Sequence, residues 1–299
     1  MEYLLLCISV LLGTTKSIVS KTVKNPNERA SKTLLSNAVM FAMAFVVVTI
    51  IGFNTFTSIR NLPIVLSILY AIFTVGGQIA LMQAVAIGPV SISSLFYSCG
   101  FLLPTIFGTI YYKENFNMLQ LGGIALVIVA FLLSTEKGGK QLNWKWFISA
   151  LLGLLFSGCV GIIQKIFVKE YVGVSLDLFL SASFGFMVLL SGLAFCFLYF
   201  NEKGKIDNYN DSKIAKIDKK IIGLLLVLGT VIGLANKLNT YLTGILPSVI
   251  SFPVINGGTI FFTSLVSAFL FKEKLSIRQR VAILIGLISI LCIGIGKNL

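Results

Sequence analysis

PVSISSLFYSCGFLLPTIFGTIYYKENF (89–116) and PSVISFPVINGGTIFFTSLVSAFLFKEKL (247–275) are the stretches whose reading decides the fold. Each opens on a proline, Pro89 or Pro247, and runs on through apolar and small residues. Each closes on a Lys-Glu pair, Lys113-Glu114 or Lys272-Glu273. The run between these marks is long enough for a helix to cross a bilayer core, which takes about 20 residues. It lacks the apolar–polar alternation over about ten residues that marks a membrane β-strand. A membrane-spanning helix is therefore written twice in similar terms.

The rest of the chain has the same character. Of 299 residues 57% are hydrophobic and 12% are charged, with a mean hydropathy of +0.96. A soluble domain carries about 25% charged residues and could not wet its surface with so few. A cytosolic enzyme, a disordered chain and a nucleic-acid-binding module are thereby excluded. The net charge of +13 would point to nucleic acid in a soluble protein. Here the Lys and Arg gather in short gaps between apolar runs, where they act as topology determinants. Cys7, Cys99, Cys159, Cys196 and Cys292 all lie inside apolar runs without a C-x-x-C pair. No disulfide, metal or cofactor is expected from them, and the absence of His removes the commonest zinc ligand and general base.

Ten spans are predicted: 2–20, 34–53, 62–85, 89–112, 117–135, 146–168, 176–200, 221–244, 247–271 and 279–296. The first begins with Glu2 instead of a cation and has no small-residue cleavage site, so it reads as a retained helix and not as a signal peptide. The longest gap, 201–220, is a polar loop with six Lys. The gaps after spans one, three, five, seven and nine, counting Arg280 with the last, hold 17 Lys and Arg. The other side holds 5: Arg60, Lys113, Lys165, Lys169 and Lys297. This bias places the odd gaps in the cytoplasm and both termini outside. Trp144, Trp146, Tyr111, Tyr112 and Tyr199 stand at span ends, as interface anchors do.

The two opening stretches belong to an internal repeat. AVAIGPVSIS (84–93) matches LTGILPSVIS (242–251) at an offset of 158, and KENFNMLQ (113–120) matches KEKLSIRQ (272–279) at 159. Gln78 falls on Asn236 and Ser98 on Asn256 at the first of these offsets. A weaker match joins SKTV (20–23) to QKIF (164–167). Residues 1–138 and 139–299 thus form two halves of five spans. An odd number of spans inverts the second half, which is a common construction in secondary transporters.

With this pattern the chain resembles the drug/metabolite transporter superfamily, in its ten-helix EamA-type permease branch. The resemblance covers essentially the whole chain. It implies an all-α polytopic membrane protein, with ten transmembrane helices as two inverted five-helix repeats around a central cavity. Spans 1–4 and 6–9 would line that cavity and spans 5 and 10 would sit outside it. Members carry small metabolites, amino acids, nucleotide sugars or drugs. Many members begin in the cytoplasm, whereas the charge count here gives the opposite orientation.

Polar groups at membrane depth are costly without partners and are candidates for function. No acidic residue falls mid-span; Asp177 and Glu2 come nearest. The two intramembrane charges are Lys16 and Lys237, the latter in LANKLNTYLTG (234–244) with Asn236, Asn239 and Tyr241 beside it. Lys237 is a candidate to hold a carboxylate or phosphate, or else snorkels to the span's end. Asn236 and Gln78 are expected to face each other near the pseudo-twofold axis. Tyr97, Ser98 and Asn256 complete the substrate-binding candidates, each with interhelical bonding as the plainer alternative. Gly76, Gly77, Gly257 and Gly258 permit close packing, and Pro104 and Pro253 are expected to kink their helices.

A secondary carrier for a small polar metabolite, amino-acid-like and zwitterionic or anionic, is the function expected. A multidrug or organic-cation exporter is the alternative, and a lipid-carrier flippase a more distant one. A membrane enzyme is disfavoured by the absence of His and of clustered acids, and no Walker A motif is present for direct ATP drive. The partners expected are the solute and the bilayer, with a homodimer as one option, and the site expected is a bacterial plasma membrane.

Overall fold

A computed structural model describes residues 1–23, 30–56, 62–88, 90–134, 144–203, 219–270 and 276–295. Outside them lie Lys24, Arg29, Arg60, Pro89, Lys137, Lys140, most of the 201–220 loop, the second Lys-Glu pair at 272–273, and Lys297. The described chain is helical, without strands: α1 (Glu2–Val23), α2 (Ala30–Gly52), a 3-10 turn (Phe53–Thr55), α3 (Ile64–Ile87), α4 (Val90–Cys99), α5 (Leu102–Tyr111), α6 (Met118–Ser134), α7 (Trp144–Glu170), α8 (Leu176–Lys203), α9 (Lys219–Ile245), α10 (Ser248–Leu270) and α11 (Ile277–Ile295). Eight segments are long and apolar enough to cross a membrane, α4 and α5 together counting as one. The apolar stretches of α6 and α11, Met118–Leu133 and Arg280–Ile293, are shorter. This is the architecture of an α-helical integral membrane protein. Membrane-facing surfaces need no polar cover, and Leu11, Ile50, Val65, Ile110, Leu193 and Leu291 are accordingly exposed.

Span four is two helices where one was expected. Pro104 has no N–H to give the Gly100 carbonyl, and Leu103 N–H bonds it instead at 3.1 Å. Gly100 and Phe101 N–H likewise bond the Tyr97 and Ser98 carbonyls, three residues back. The helix tightens over 99–101 and restarts at Leu102. Gly100 is essential to this break. A Cβ there would stand 1.9 Å from Ser157 Oγ and 2.9 Å from the Gly158 nitrogen. Pro253, in contrast, sits inside an unbroken α10, so the kink expected there is no break.

The chain divides into two compact units: residues 1–14, 76–172 and 238–299 form the first, and 15–75 and 173–237 the second. The division cuts α1, α3 and α9, and each sequence half contributes to both units. In the first, α6 packs along α11, α10 meets α5 and α11, and α4 and α5 lie on α7. Its core is built on Phe101, Phe131, Leu242, Ile250 and Phe261. In the second, α2 runs along α8. Phe41 meets Phe184 there, and Tyr70 meets Phe179 edge-on at 5.7 Å. Gly229 of α9 comes so close to α2 that a Cβ would lie 2.5 Å from the Met40 carbonyl.

Of the expected interface anchors, Trp144 and Tyr111 are exposed. Trp146 is a correction. It is buried, donates its indole N–H to Ser93 Oγ at 2.9 Å, and packs edge-on to Phe96. Trp144 and Trp146 are two positions apart on one helix and point in different directions, so both could not face the headgroups.

Candidate functional site

Two ion pairs stand out, one in each unit. In the first unit α5 ends and Lys113 adopts a left-handed φ of 51°. Tyr112 and Glu114 N–H both bond the Gly108 carbonyl, and the turn aims the Glu114 side chain inward. Glu114 meets Lys165 of α7, whose side chain is 0% exposed. The Lys165 ammonium also donates to the carbonyls of Thr243 at 3.1 Å and Leu246 at 3.4 Å, where α9 ends. The second Glu114 oxygen accepts the Ser248 N–H at 2.7 Å, where α10 begins. A cation therefore sits on a helix C-terminus and an anion on a helix N-terminus, as the helix dipoles favour. Burial pushes the Glu114 carboxyl upward. The Lys165 ammonium and the Ser248 N–H outweigh it and hold the group below its ordinary range. Immediately before Lys165 on α7, Gln164 donates to Thr240 Oγ1 at 3.0 Å. Tyr112 donates to Glu170 at 3.0 Å.

Lys165 is thus a buried partner in an ion pair and not one of the surface charges that set topology. Removing it from the smaller side of the charge count leaves the bias where it was.

In the second unit Lys237 of α9 lies 2.8 Å from Asp177 Oδ1. Asp177 is in the first turn of α8, which Ser175 precedes with its hydroxyl toward the Leu178 N–H at 3.4 Å. The other carboxylate oxygen accepts from the Thr55 hydroxyl at 2.9 Å. Asp177 is closely seated against the end of α2, where a Cβ on Gly52 would lie 2.1 Å from Asp177 Cβ. The two partners differ in cover: Lys237's side chain is 34% exposed, Asp177's 8%. Beside them Tyr70 donates to Asn236 Oδ1 at 2.8 Å, while Asn236 Nδ2 donates to the Ile232 carbonyl at 2.9 Å. Lys237 thus pairs with Asp177, which also holds Thr55, and Asn236 pairs with Tyr70; of these partners sequence reading had named only Asp177, as one of the two acids nearest to mid-span.

Gln78 belongs to the first unit and Asn236 to the second. Within the first unit, the Tyr97 ring packs beside Gly77 and Gly153, and its carbonyl accepts the Ser157 hydroxyl at 2.6 Å. Ser98 gives its carbonyl to Phe101 N–H in the helix break. Asn256 turns its amide back onto its own helix, donating to the Phe252 carbonyl at 2.8 Å. Tyr241 is exposed. Gly76 and Gly77 receive the Phe156 side chain, Gly258 receives Val10, and Gly257 makes ordinary contacts. A close backbone approach in this unit lies instead between Gly100 and Gly158, where a Cβ on Gly158 would lie 2.8 Å from the Gly100 carbonyl. Pro104 is buried, its ring beside Gly161.

No protein-family model matches the sequence, and no curated protein is significantly similar to it. Among solved structures, a crystal structure of a protein is similar with a TM-score of 0.74 at 13% identity, over 99% of this chain and 98% of that one. At that identity the likeness shows a shared fold.

Proposed function

We propose that the chain is a secondary transporter that moves a small polar metabolite across a membrane by alternating access. On this reading α4 and α5 form one broken span, and α6 and α11 complete a set of ten. Residues 1–138 and 139–299 are then inverted five-helix repeats of the drug/metabolite transporter, EamA-type kind. The matching offsets support this. So does the position of the two shorter apolar helices, α6 and α11, each the last in its half. The permease is taken as a carrier without enzymatic activity or cofactor, in a bacterial plasma membrane, with its termini outside.

The observation that carries the reading is the Lys237–Asp177 pair. A Lys in an apolar helix is held by a carboxylate at 2.8 Å yet left one-third uncovered, beside the Tyr70–Asn236 hydrogen bond. Ionisable groups in membrane helices are expensive to keep and mark solute and ion paths. The buried Asp177 also gives the organic-cation exporter a specific support, since a carboxylate is what such a solute needs.

Solute exchange in proteoliposomes tests the function. Vesicles loaded with a mixture of amino acids, carboxylates, phosphorylated sugars and amines should exchange at least one class faster than protein-free vesicles. Exchange of none would remove the transporter reading.

A further inference from the structure

We infer that Lys237 and Asp177 form an exchangeable counter-ion pair that ranks solutes by charge: zwitterions first, primary amines second, simple anions last. The inference rests on the transport reading and follows from the unequal cover of the two partners.

Asp177 is the fixed member. Its side chain is 8% exposed, its Oδ2 holds the Thr55 hydroxyl, and Gly52 lies against its Cβ. Lys237 is the movable member. It has a flexible four-carbon stem and leaves 34% of its side chain open. A solute can therefore enter by displacing the ammonium, while the carboxylate stays in place.

Displacement has a different cost for each solute class. A buried charge stripped of its partner is strongly unfavourable, and an exposed one far less so. A simple anion that draws Lys237 away leaves Asp177 buried and uncompensated. A primary amine replaces Lys237 on Asp177 and leaves unpaired the charge of the more exposed partner. A zwitterion supplies an ammonium to Asp177 and a carboxylate to Lys237, so both charges remain paired. The geometry thus reverses the order that Lys237 alone suggested, in which an anion outranked a cation.

The test uses the full chain in proteoliposomes. The probes are a mixture of uncharged-side-chain L-amino acids, the matching carboxylates without the amino group, and the matching amines without the carboxylate. For the wild type the amino acids should compete for exchange at least about tenfold better than the carboxylates, which corresponds to 1.4 kcal/mol, with the amines between. Asp177→Asn keeps an acceptor for Thr55 and should abolish the advantage of amino acids over carboxylates. Lys237→Met should shift preference to the amines. Carboxylates equal to or better than amino acids on the wild type would overturn the inference, and this comparison needs no variant to fold. So would an unchanged ranking in both variants, or amines outranking amino acids on the wild type. Exchange of carboxylates or phosphorylated sugars alone leaves the transporter reading standing and removes the inference. Exchange of nothing removes both.

Discussion

The two ion pairs use the same chemistry to opposite ends. Lys165–Glu114 is closed: the ammonium is fully covered, and it is further held by two carbonyls at the end of α9. Its carboxylate is spent on Lys165 and on the start of α10. Lys237–Asp177 is half open, with a seated carboxylate and a lysine side chain that is one-third exposed. The first pair satisfies backbone groups that a helix end leaves orphaned in a medium without water. The second leaves a charge that can be met from outside. Burial, and not the identity of the charges, separates a structural pair from a candidate binding pair.

Stability of the purified protein should separate them most. Lys165→Met strands Glu114 beside a helix start and should cost about 3–5 kcal/mol. Asp177→Asn should cost about 1 kcal/mol, because the Lys237 side chain it leaves unpaired is one-third exposed and the amide keeps an acceptor for Thr55. Denaturant or thermal unfolding in detergent measures both. Equal losses would erase the distinction drawn here.

A smaller effect is expected from pH. The Glu114 carboxyl is held below its ordinary value of 4.5, where burial opposes and the Lys165 charge and Ser248 N–H prevail. A carboxyl depressed in the folded state contributes stability that is complete above its unfolded value. That contribution is lost as pH falls through the lower folded value. The unfolding midpoint should therefore drop as pH falls from about 4.5, and Glu114→Gln should flatten that part of the profile. A variant that keeps the full slope would assign it to other carboxyls.

The smallest change concerns the turn that delivers Glu114. Lys113 holds a left-handed φ of 51°, which costs a side-chain-bearing residue about 1 kcal/mol. Lys113→Gly relieves that strain while making the unfolded chain more flexible. A net gain of less than about 1 kcal/mol is expected, with the exchange activity of the Lys237 site unaltered.

The apolar helices were legible because the bilayer imposes a simple rule of length and apolarity; the described helix ends fall within a few residues of the expected ones, and eight segments meet the length for crossing. The break in span four was half legible. Pro104 was noticed, but the restart at Leu102 also needs Gly100 against Gly158, a contact between residues 58 apart. Lys237 and Asn236 were found by asking which polar residues lie in apolar runs. Lys165 was missed because its position near a span's end made it look like a surface charge. Glu114 was noticed only as punctuation of the repeat. Asp177 and Thr55 stood at segment ends, where polar residues are ordinary.

What the sequence by itself determined is the class, an all-helical membrane chain, and the approximate bounds of the described helices. These depend on local composition, and the bilayer reads composition directly. The tertiary structure alone decided which charges meet. Glu114 joins Lys165 across 51 residues, and Asp177 joins Lys237 across 60. It also decided which pair is sealed and which is left open. Pairing and burial depend on how distant helices pack, and no local pattern carries that information.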